Sequence, residues 1–509
     1  MKKQILSLFL VVVLMMSICV GCSKKEAKPT ANKNSSQTTT TSSNGSDTTS
    51  STPSDTKPTS STTSSGSTTT TTKVNTLPTL GESNMSLTFC AMSDVHMGAS
   101  KTEAKFTDAM KNMSNTKVKP DAYLFVGDLT DTTGSSLKST QVDKFKSIYE
   151  KYASPSQMIY TLGPTHDVPQ SGSTENAQNV YKSTFGENYY KDGLEPQDIR
   201  DKGVRWKKIK GYSFFSLDWD GTTGTGGAPA SSALNWFKSQ LEAETKADPN
   251  KPIFVLVHVA NIGVIDNILK NFPQVVCFTG HIHNSFARED SISQDKGFTS
   301  VHCGGQNYYR VDGYNRFNEN PFLSLGSINN FGQALYVQVD KNNNVTITRV
   351  DTFNTTTLKT TWVVGPNKRN VYTDARKTTA QKCMFEKNDV LSIKESNGKS
   401  LTVSFDACKS GGAGPALYYQ VQLLAPNSSG VYEVIDHKEI ASQQVFYPND
   451  EGIPSLHYSY TFRNLSCLNN YAVVVTAIDC WNTSGNALVY TNGKYVSNIP
   501  ATGTVKKVK

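Results

Sequence analysis

Leu87-Thr88-Phe89-Cys90-Ala91-Met92-Ser93-Asp94-Val95-His96 is the stretch that decides the fold. It opens β-prone and largely apolar on consecutive positions, then delivers a carboxylate and an imidazole at once. Runs of that kind suit strands buried on both faces. The arrangement recurs downstream. Ala122-Tyr123-Leu124-Phe125-Val126 leads to Gly127 and Asp128, and Met158-Ile159-Tyr160-Thr161-Leu162 leads to His166 and Asp167. Ile253-Phe254-Val255-Leu256-Val257 leads to His258, and Val275-Val276-Cys277-Phe278-Thr279 to Gly280, His281 and His283. Between these runs, residues 102–113, 140–152 and 232–245 read as helices; the last sets Leu234, Phe237 and Leu241 at a helical period. Strands alternating with helices predict an α/β domain, whose sites collect on loops at the carboxyl ends of the strands. All the polar clusters occupy that same end, and their shared placement weighs more than any one motif.

The residue types point to a chemistry. Asp94 and His96 are two apart, so in an extended segment both side chains leave on one side. His281 and His283 repeat that spacing. Asp128 follows a strand and Gly127, where the backbone can turn sharply and a carboxylate can bridge two cations. Mixed carboxylate and imidazole ligands suit Zn, Mn or Fe. Two such ions about 3.5–4 Å apart can hold a phosphate, activate a water and stabilise in-line displacement. His166 is not needed as a ligand; a protonated imidazole there can donate to a leaving alkoxide. Asp131 or Asp167 can orient it by a hydrogen bond. A lone histidine after a strand is usually a core or surface residue. The chain has only eight histidines, however, and His96, His166, His258, His281 and His283 all fall in this pattern. His302 has no motif partner and reads as structural or as a support behind the ligands; His437 and His457 receive no role, and Asp218 is read as structural.

These residues resemble the calcineurin-like metallophosphoesterases. The family's DxH, GDxxD, GNH followed by Asp or Glu, lone His and GHxH correspond here to Asp94-Val95-His96, Gly127-Asp128-Leu129-Thr130-Asp131, Gly163-Pro164-Thr165-His166-Asp167, His258 and Gly280-His281-Ile282-His283. Leu234-Asn235-Trp236-Phe237, ahead of the His258 strand, is similar to the family as well. The resemblance implies a four-layer αββα sandwich and two divalent metal ions. It assigns Asp94, His96, Asp128 and His283 to one ion, Asp128, His258 and His281 to the other, and the catalytic imidazole to His166. One position departs from the pattern. Thr165 stands where the family has an Asn whose amide oxygen binds the second metal, and a hydroxyl is a shorter, poorer ligand. Two readings follow: an enzyme that hydrolyses phosphomonoesters or phosphodiesters, and a degenerate relative that binds a phosphate-bearing or cell-wall ligand without turnover.

Outward from this domain, set at residues 84–355, the composition changes. Lys2 and Lys3 precede an apolar run, 5–20, that is too short for a comfortable membrane span and reads as a signal peptide, 1–22. Its end, Cys19-Val20-Gly21-Cys22, resembles the lipobox of bacterial lipoproteins, with Cys19 in the place of the usual Leu. That resemblance implies export and a lipid anchor on Cys22 at the outer face of the cell membrane. Residues 23–83 begin as a Ser/Thr-rich tract with almost no large apolar side chains, and are expected to be disordered. A tether of about 50 residues spans roughly 40 Å. The net charge of +8 is mild, and no Lys/Arg block is interleaved with aromatics, so nucleic acid is not indicated as a partner. Beyond the signal, Cys90, Cys277, Cys303, Cys383, Cys408, Cys467 and Cys480 form no CxxC pair, which argues against a zinc–cysteine site; the last four allow three pairings.

On the other side, 356–385 is Thr-rich and reads as a connector. Residues 386–502 alternate in short β-prone segments, such as 401–405 and 418–424, and predict an all-β sandwich of the immunoglobulin kind. This part resembles a fibronectin type III module, with Phe405 in place of the core Trp and Leu465 six residues before Tyr471, as in that family's tyrosine corner. Such modules act as spacers or bind a polymer or protein, so a cell-wall or protein ligand is the expected partner. Loops 220–230 and 306–320 are expected to shape the pocket; Arg310 or Arg316 could meet a phosphate ester, but both read first as solvated loop arginines.

Overall fold

The computed structural model describes residues 77–132, 137–169, 173–222, 226–312, 322–327, 331–358, 360–396, 398–446, 456–465, 469–492, 501–502 and 504–508. The chain separates into residues 1–69 and 70–509. The first unit, with the signal peptide, Cys22 and most of the tether, lies outside the described residues. Among the described residues no helix is long and apolar enough to cross a membrane.

Two mixed sheets form the amino-terminal region. Its strands are β1 (Leu87–Met92), β2 (Ala122–Val126), β3 (Met158–Thr161), β4 (Val204–Ile209), β5 (Tyr212–Leu217), β6 (Ile253–Val257), β7 (Val275–Thr279), β8 (Ile292–Ser293), β9 (Thr299–His302), β10 (Tyr308–Asp312), β11 (Phe322–Ser327), β12 (Gln333–Val339), β13 (Val345–Asp351), β14 (Thr356–Thr357) and β15 (Trp362–Val364). One sheet runs β14-β13-β12-β1-β2-β3, with β15 also on β13; the other runs β4-β5-β6-β7-β9-β8, and β10 and β11 pair apart from both as a two-stranded antiparallel ribbon. The strands that carry the polar clusters, β1-β2-β3 and β6-β7, pair in parallel, so their carboxyl ends fall at one edge of each sheet.

Alternation along each buried strand divides its side chains between two apolar clusters. Leu87, Phe89 and Ala91 of β1 meet Leu124, Phe214, Phe254, Leu256 and Phe278 between the sheets. The Phe89 ring lies edge-on to Phe214, Phe254 and Phe278, with centroids 5.4, 4.8 and 5.7 Å away. Cys90 and Met92 point the other way, with Tyr123 and Phe125. There they meet α1 (Thr102–Ser114), α2 (Ser139–Tyr149) and α3 (Thr174–Phe185) through Phe106, Met110, Phe145, Ile148, Tyr181 and Phe185. On the second sheet, Val255 and Cys277 face α4 (Ser231–Ala247) and α5 (Gly263–Leu269). Leu234, Phe237 and Leu241, expected to line one face of a helix, are the buried stripe of α4.

The carboxyl-terminal region is all β, as expected. Its strands are β16 (Val390–Ser396), β17 (Ser400–Asp406), β18 (Tyr418–Pro426), β19 (Tyr432–Ala441), β20 (His457–Phe462), β21 (Tyr471–Ile478), β22 (Ala487–Asn492), β23 (Ala501–Thr502) and β24 (Thr504–Val508). They form the sheets β20-β17-β16-β24 and β19-β18-β21-β22-β23. Leu401, Val403 and Phe405 pack with Tyr419, Val421 and Leu423 and with Tyr471, Val473 and Val475 in one core.

Several details differ from expectation. The stretch read as a connector begins with β14 and β15, which pair with β13, and Trp362 is buried between the amino-terminal sheets. Surrounding threonines hide that short apolar run, Trp362-Val363-Val364, in the sequence. The Tyr471 hydroxyl donates to the Glu395 side chain, whereas a tyrosine corner bonds to backbone. Cys90, Cys277, Cys303, Cys383, Cys408 and Cys480 are buried free thiols; Cys467 lies outside the described residues.

Candidate metal centre

Six residues at the strand ends adopt left-handed backbone: Asp94 (φ 54°), His96 (51°), Asp128 (49°), Thr165 (68°), His281 (73°) and His283 (58°). Asp94-Val95-His96 and His281-Ile282-His283 are therefore irregular and not the extended segments that same-side projection assumes. Such conformations are uncommon without glycine, cost of order 1–3 kcal/mol each, and persist where the surroundings over-determine them. Here the surroundings are a backbone ladder between loops. Asp94 N donates to Gly127 O at 3.1 Å, His96 N to Asp128 O at 2.9 Å, Met97 N to Leu129 O at 2.8 Å, and Gly280 N to His258 O at 2.9 Å. Two glycines allow the close approach. A Cβ on Gly127 would lie 2.3 Å from His258 Nδ1, and one on Gly280 would lie 1.9 Å from Ser93 Oγ.

These irregular segments bring the expected ligands together. Asp94, His96, Asp128 and His283 each place a ligand atom within 4.8 Å of the others, and Asp128, His258 and His281 do the same, so Asp128 belongs to both groups. His283 Nε2 is 3.1 Å from Asp94 Oδ1 and 3.2 Å from His96 Nε2; His258 Nε2 is 3.3 Å from Asp128 Oδ2. Ligand atoms about 2.1 Å from one ion sit roughly 3.0–3.4 Å apart, so these separations fit a shared cation.

Hydrogen bonding around the ligands points the same way. His258 Nδ1 bonds to Val126 O at 2.6 Å, which leaves Nε2 of the neutral ring as an acceptor facing carboxylate oxygens. Two acceptors in contact need a proton or a metal ion between them, and without a metal the ring takes the proton. Burial pushes the His258 imidazole down, but Asp128 and Asp94 outweigh it and raise the pKa to about 10. Burial raises Asp94, yet His283, His258 and His96 hold its carboxyl well below the usual range; Asp128, likewise buried, is held at about 2 by His258 first. Asp128 Oδ1 is buried and accepts no hydrogen bond from the described residues. Two fully buried carboxylates ringed by imidazoles suit a divalent cation.

The remaining candidates separate. Asp131 Oδ1 lies 3.3 Å from His166 Nδ1 and 3.2 Å from His96 Nδ1, joining the expected catalytic imidazole to an expected ligand. Burial depresses the His166 pKa, but Asp131 and Asp128 reverse this and raise it. Asp167, the other proposed orienter, is occupied elsewhere. Its carboxylate accepts from Leu129 N (3.2 Å), Thr130 N (3.0 Å), Gly163 N (3.0 Å) and the Tyr181 hydroxyl (2.6 Å). It thus stitches loop 127–131 to loop 163–167. Thr165 is half-buried, and its N donates to Val168 O at 2.8 Å. His302 and Asp218 have the partners a structural role requires. His302 Nε2 bonds to Gly280 O at 3.0 Å and its Nδ1 accepts from Gly304 N, while Asp218 pairs with Arg205. The Arg310 side chain and all of Arg316 lie outside the described residues. Sequence reasoning did not find Tyr181, within α3, or Ser93 and the Val126 carbonyl, at the ends of β1 and β2, which support the centre without any motif. Only the spacing of Tyr181 on the buried face of α3 hinted at its inward direction.

A family model, calcineurin-like phosphoesterase, matches residues 87–285. No curated protein matches. Among solved structures, "GAP50 the anchor in the inner membrane complex of Plasmodium" aligns at 14% sequence identity and a TM-score of 0.35, over 57% of this chain and 91% of its own.

Proposed function

We propose, from the premise that residues 87–285 are a calcineurin-like phosphoesterase domain, that this protein hydrolyses phosphomonoesters or phosphodiesters in a metal-dependent reaction. The observation that carries this reading is the pair of Asp/His groups joined at Asp128. Asp94, His96, Asp128 and His283 would hold one divalent ion, and Asp128, His258 and His281 a second, with Mn, Zn or Fe suited to the donor set. Ions bound there supply Lewis acidity toward phosphoryl oxygens and an activated water. The chain's own residues do the rest. His166, whose side chain is 21% exposed, is open enough to reach a substrate, and the Asp131 carboxylate, 3.3 Å from its Nδ1, would hold it by charge. His166 then donates a proton to the leaving alkoxide oxygen.

The three apolar clusters support reading the domain as the four-layer αββα sandwich, and the two facing β sheets support a fibronectin type III-like module. The lipobox-like Cys19-Val20-Gly21-Cys22 supports export and anchoring at the outer membrane face, with 23–83 as tether. A second reading, a phosphate-ligand binder without turnover, draws on Thr165.

The test is a panel of phosphate esters offered to chelator-stripped protein and to protein reloaded with Mn, Zn, Fe or Co. Turnover should vanish on stripping and return on reloading. Asp128→Asn should lower it by more than about 10²-fold, beyond what loss of an outer-shell partner brings. No turnover with any of the four metals would leave the binding reading in its place.

A further inference from the structure

The loop after His283 is gripped from two sides. Between His283 and β8 it is irregular apart from the short turn Glu289–Ser291, yet Ser285, Phe286, Ala287, Arg288 and Ser291 are all buried. Irregular backbone usually runs over the surface, because buried peptide groups need partners. On one side the partners belong to the phosphoesterase region. Phe286 N donates to Gln333 Oε1 at 2.8 Å, and Arg349 donates to Phe286 O at 3.0 Å. On the other side they belong to the carboxyl-terminal β region. The Ser285 hydroxyl donates to Val445 O at 2.9 Å, and Glu289 N donates to Ala413 O at 3.3 Å. Gly414 (φ +94°) packs so tightly that a Cβ there would stand 2.4 Å from Ala287 O. Tyr309 and Phe331 complete the contact with Leu417, Tyr418, Val445 and Ile478.

We propose that the carboxyl-terminal β region is a positioning part of the metal centre: by seating residues 284–291 it fixes the direction of His283 and, through it, His281. The inference rests on the metal reading above. Ser285 is two residues beyond His283, whose left-handed backbone would relax without an external hold. The region is then more than the detached spacer that its resemblance implied. Linkage adds a consequence. If seating the loop strengthens ion binding, ion binding must strengthen the seating by the same factor.

The experiment uses the full-length chain. Mn²⁺ affinity, by competition with a chelator, is compared for wild type, Ser285→Ala, Ser285→Thr and Gly414→Ala. Ser459→Ala, whose hydroxyl bonds to Ser404 on the exposed face of β17 and β20, is the control within the same region. Hydrogen exchange of the Glu289 amide is followed with and without Mn²⁺. Ser285→Ala and Gly414→Ala should weaken Mn²⁺ binding by about 10- to 100-fold, the range for lost outer-shell support. Ser285→Thr, which keeps the hydroxyl, should retain most of the affinity, Ser459→Ala should match wild type, and Mn²⁺ should slow Glu289 exchange. Folded Ser285→Ala and Gly414→Ala proteins with wild-type affinity, or Glu289 exchange indifferent to Mn²⁺, would overturn the proposal. Should Gly414→Ala fail to fold, the Ser285 pair decides. A wild-type protein that binds no Mn²⁺, Zn²⁺ or Fe²⁺ would instead overturn the metal reading itself.

Discussion

Thr165 carries two penalties at one position. Its φ of 68° is one that a β-branched residue adopts only under strain, whereas Asn tolerates it, and its hydroxyl is the poorer donor to a cation. Thr165→Asn should therefore raise stability by about 1 kcal/mol, read as a higher thermal midpoint, and raise the affinity for a second ion at Asp128, His258 and His281. An unchanged midpoint together with an unchanged ion count would show that neither penalty operates. The ligand residues were legible in the sequence because a DxH or GHxH spacing after an apolar run is a local pattern. Their left-handed backbone was not. Nothing local in Asp94 or His96 dictates φ near 50°; the ladder from Gly127, Asp128 and Leu129, more than thirty residues away, imposes it. The ligand atoms of Asp94, His96 and His283 converge although the extended geometry expected of them is absent.

Elements show why Asp131 and Asp167 part company. Both were plausible orienters of His166 by position, and only the three-dimensional packing of loop 127–131 against loop 163–167 distinguishes them. Asp131→Asn should leave the fold intact, lower kcat by about 10²–10⁴-fold through His166 and weaken ion binding through His96. Asp167→Asn should instead lower the thermal midpoint, with a stability loss of roughly 3 kcal/mol from weakened charge-assisted bonds to Leu129, Thr130, Gly163 and Tyr181. Equal midpoints for the two variants would contradict the division. The five strands that deliver the clusters were legible because they are largely apolar. β12 was not, since Gln-Ala-Leu-Tyr-Val-Gln-Val mixes polar side chains into a fully buried strand; Gln333 and Gln338 earn no apolar signal, yet their amides bond neighbouring loops.

At the scale of the whole molecule, the sequence reads as an α/β region followed by an all-β region, and the described residues hold mixed α/β sheets followed by all-β sheets. Their shared cluster around Tyr309, Phe331 and Tyr418 was not legible, because no sequence pattern says which surfaces of two regions meet. The anchoring proposal concerns the chain's other end. Cys22→Ser should move the protein from the detergent phase to the aqueous phase on partition of cells that express it, and an unchanged distribution would remove Cys22 as the anchor.

The account depends most on ions gathering at Asp128. Anomalous diffraction at the manganese edge, from crystals grown with Mn²⁺, tests this directly. A strong peak bounded by Asp94, His96, Asp128 and His283 is predicted, with a weaker one bounded by Asp128, His258 and His281. A map with no peak within coordinating distance of Asp128 would contradict the account.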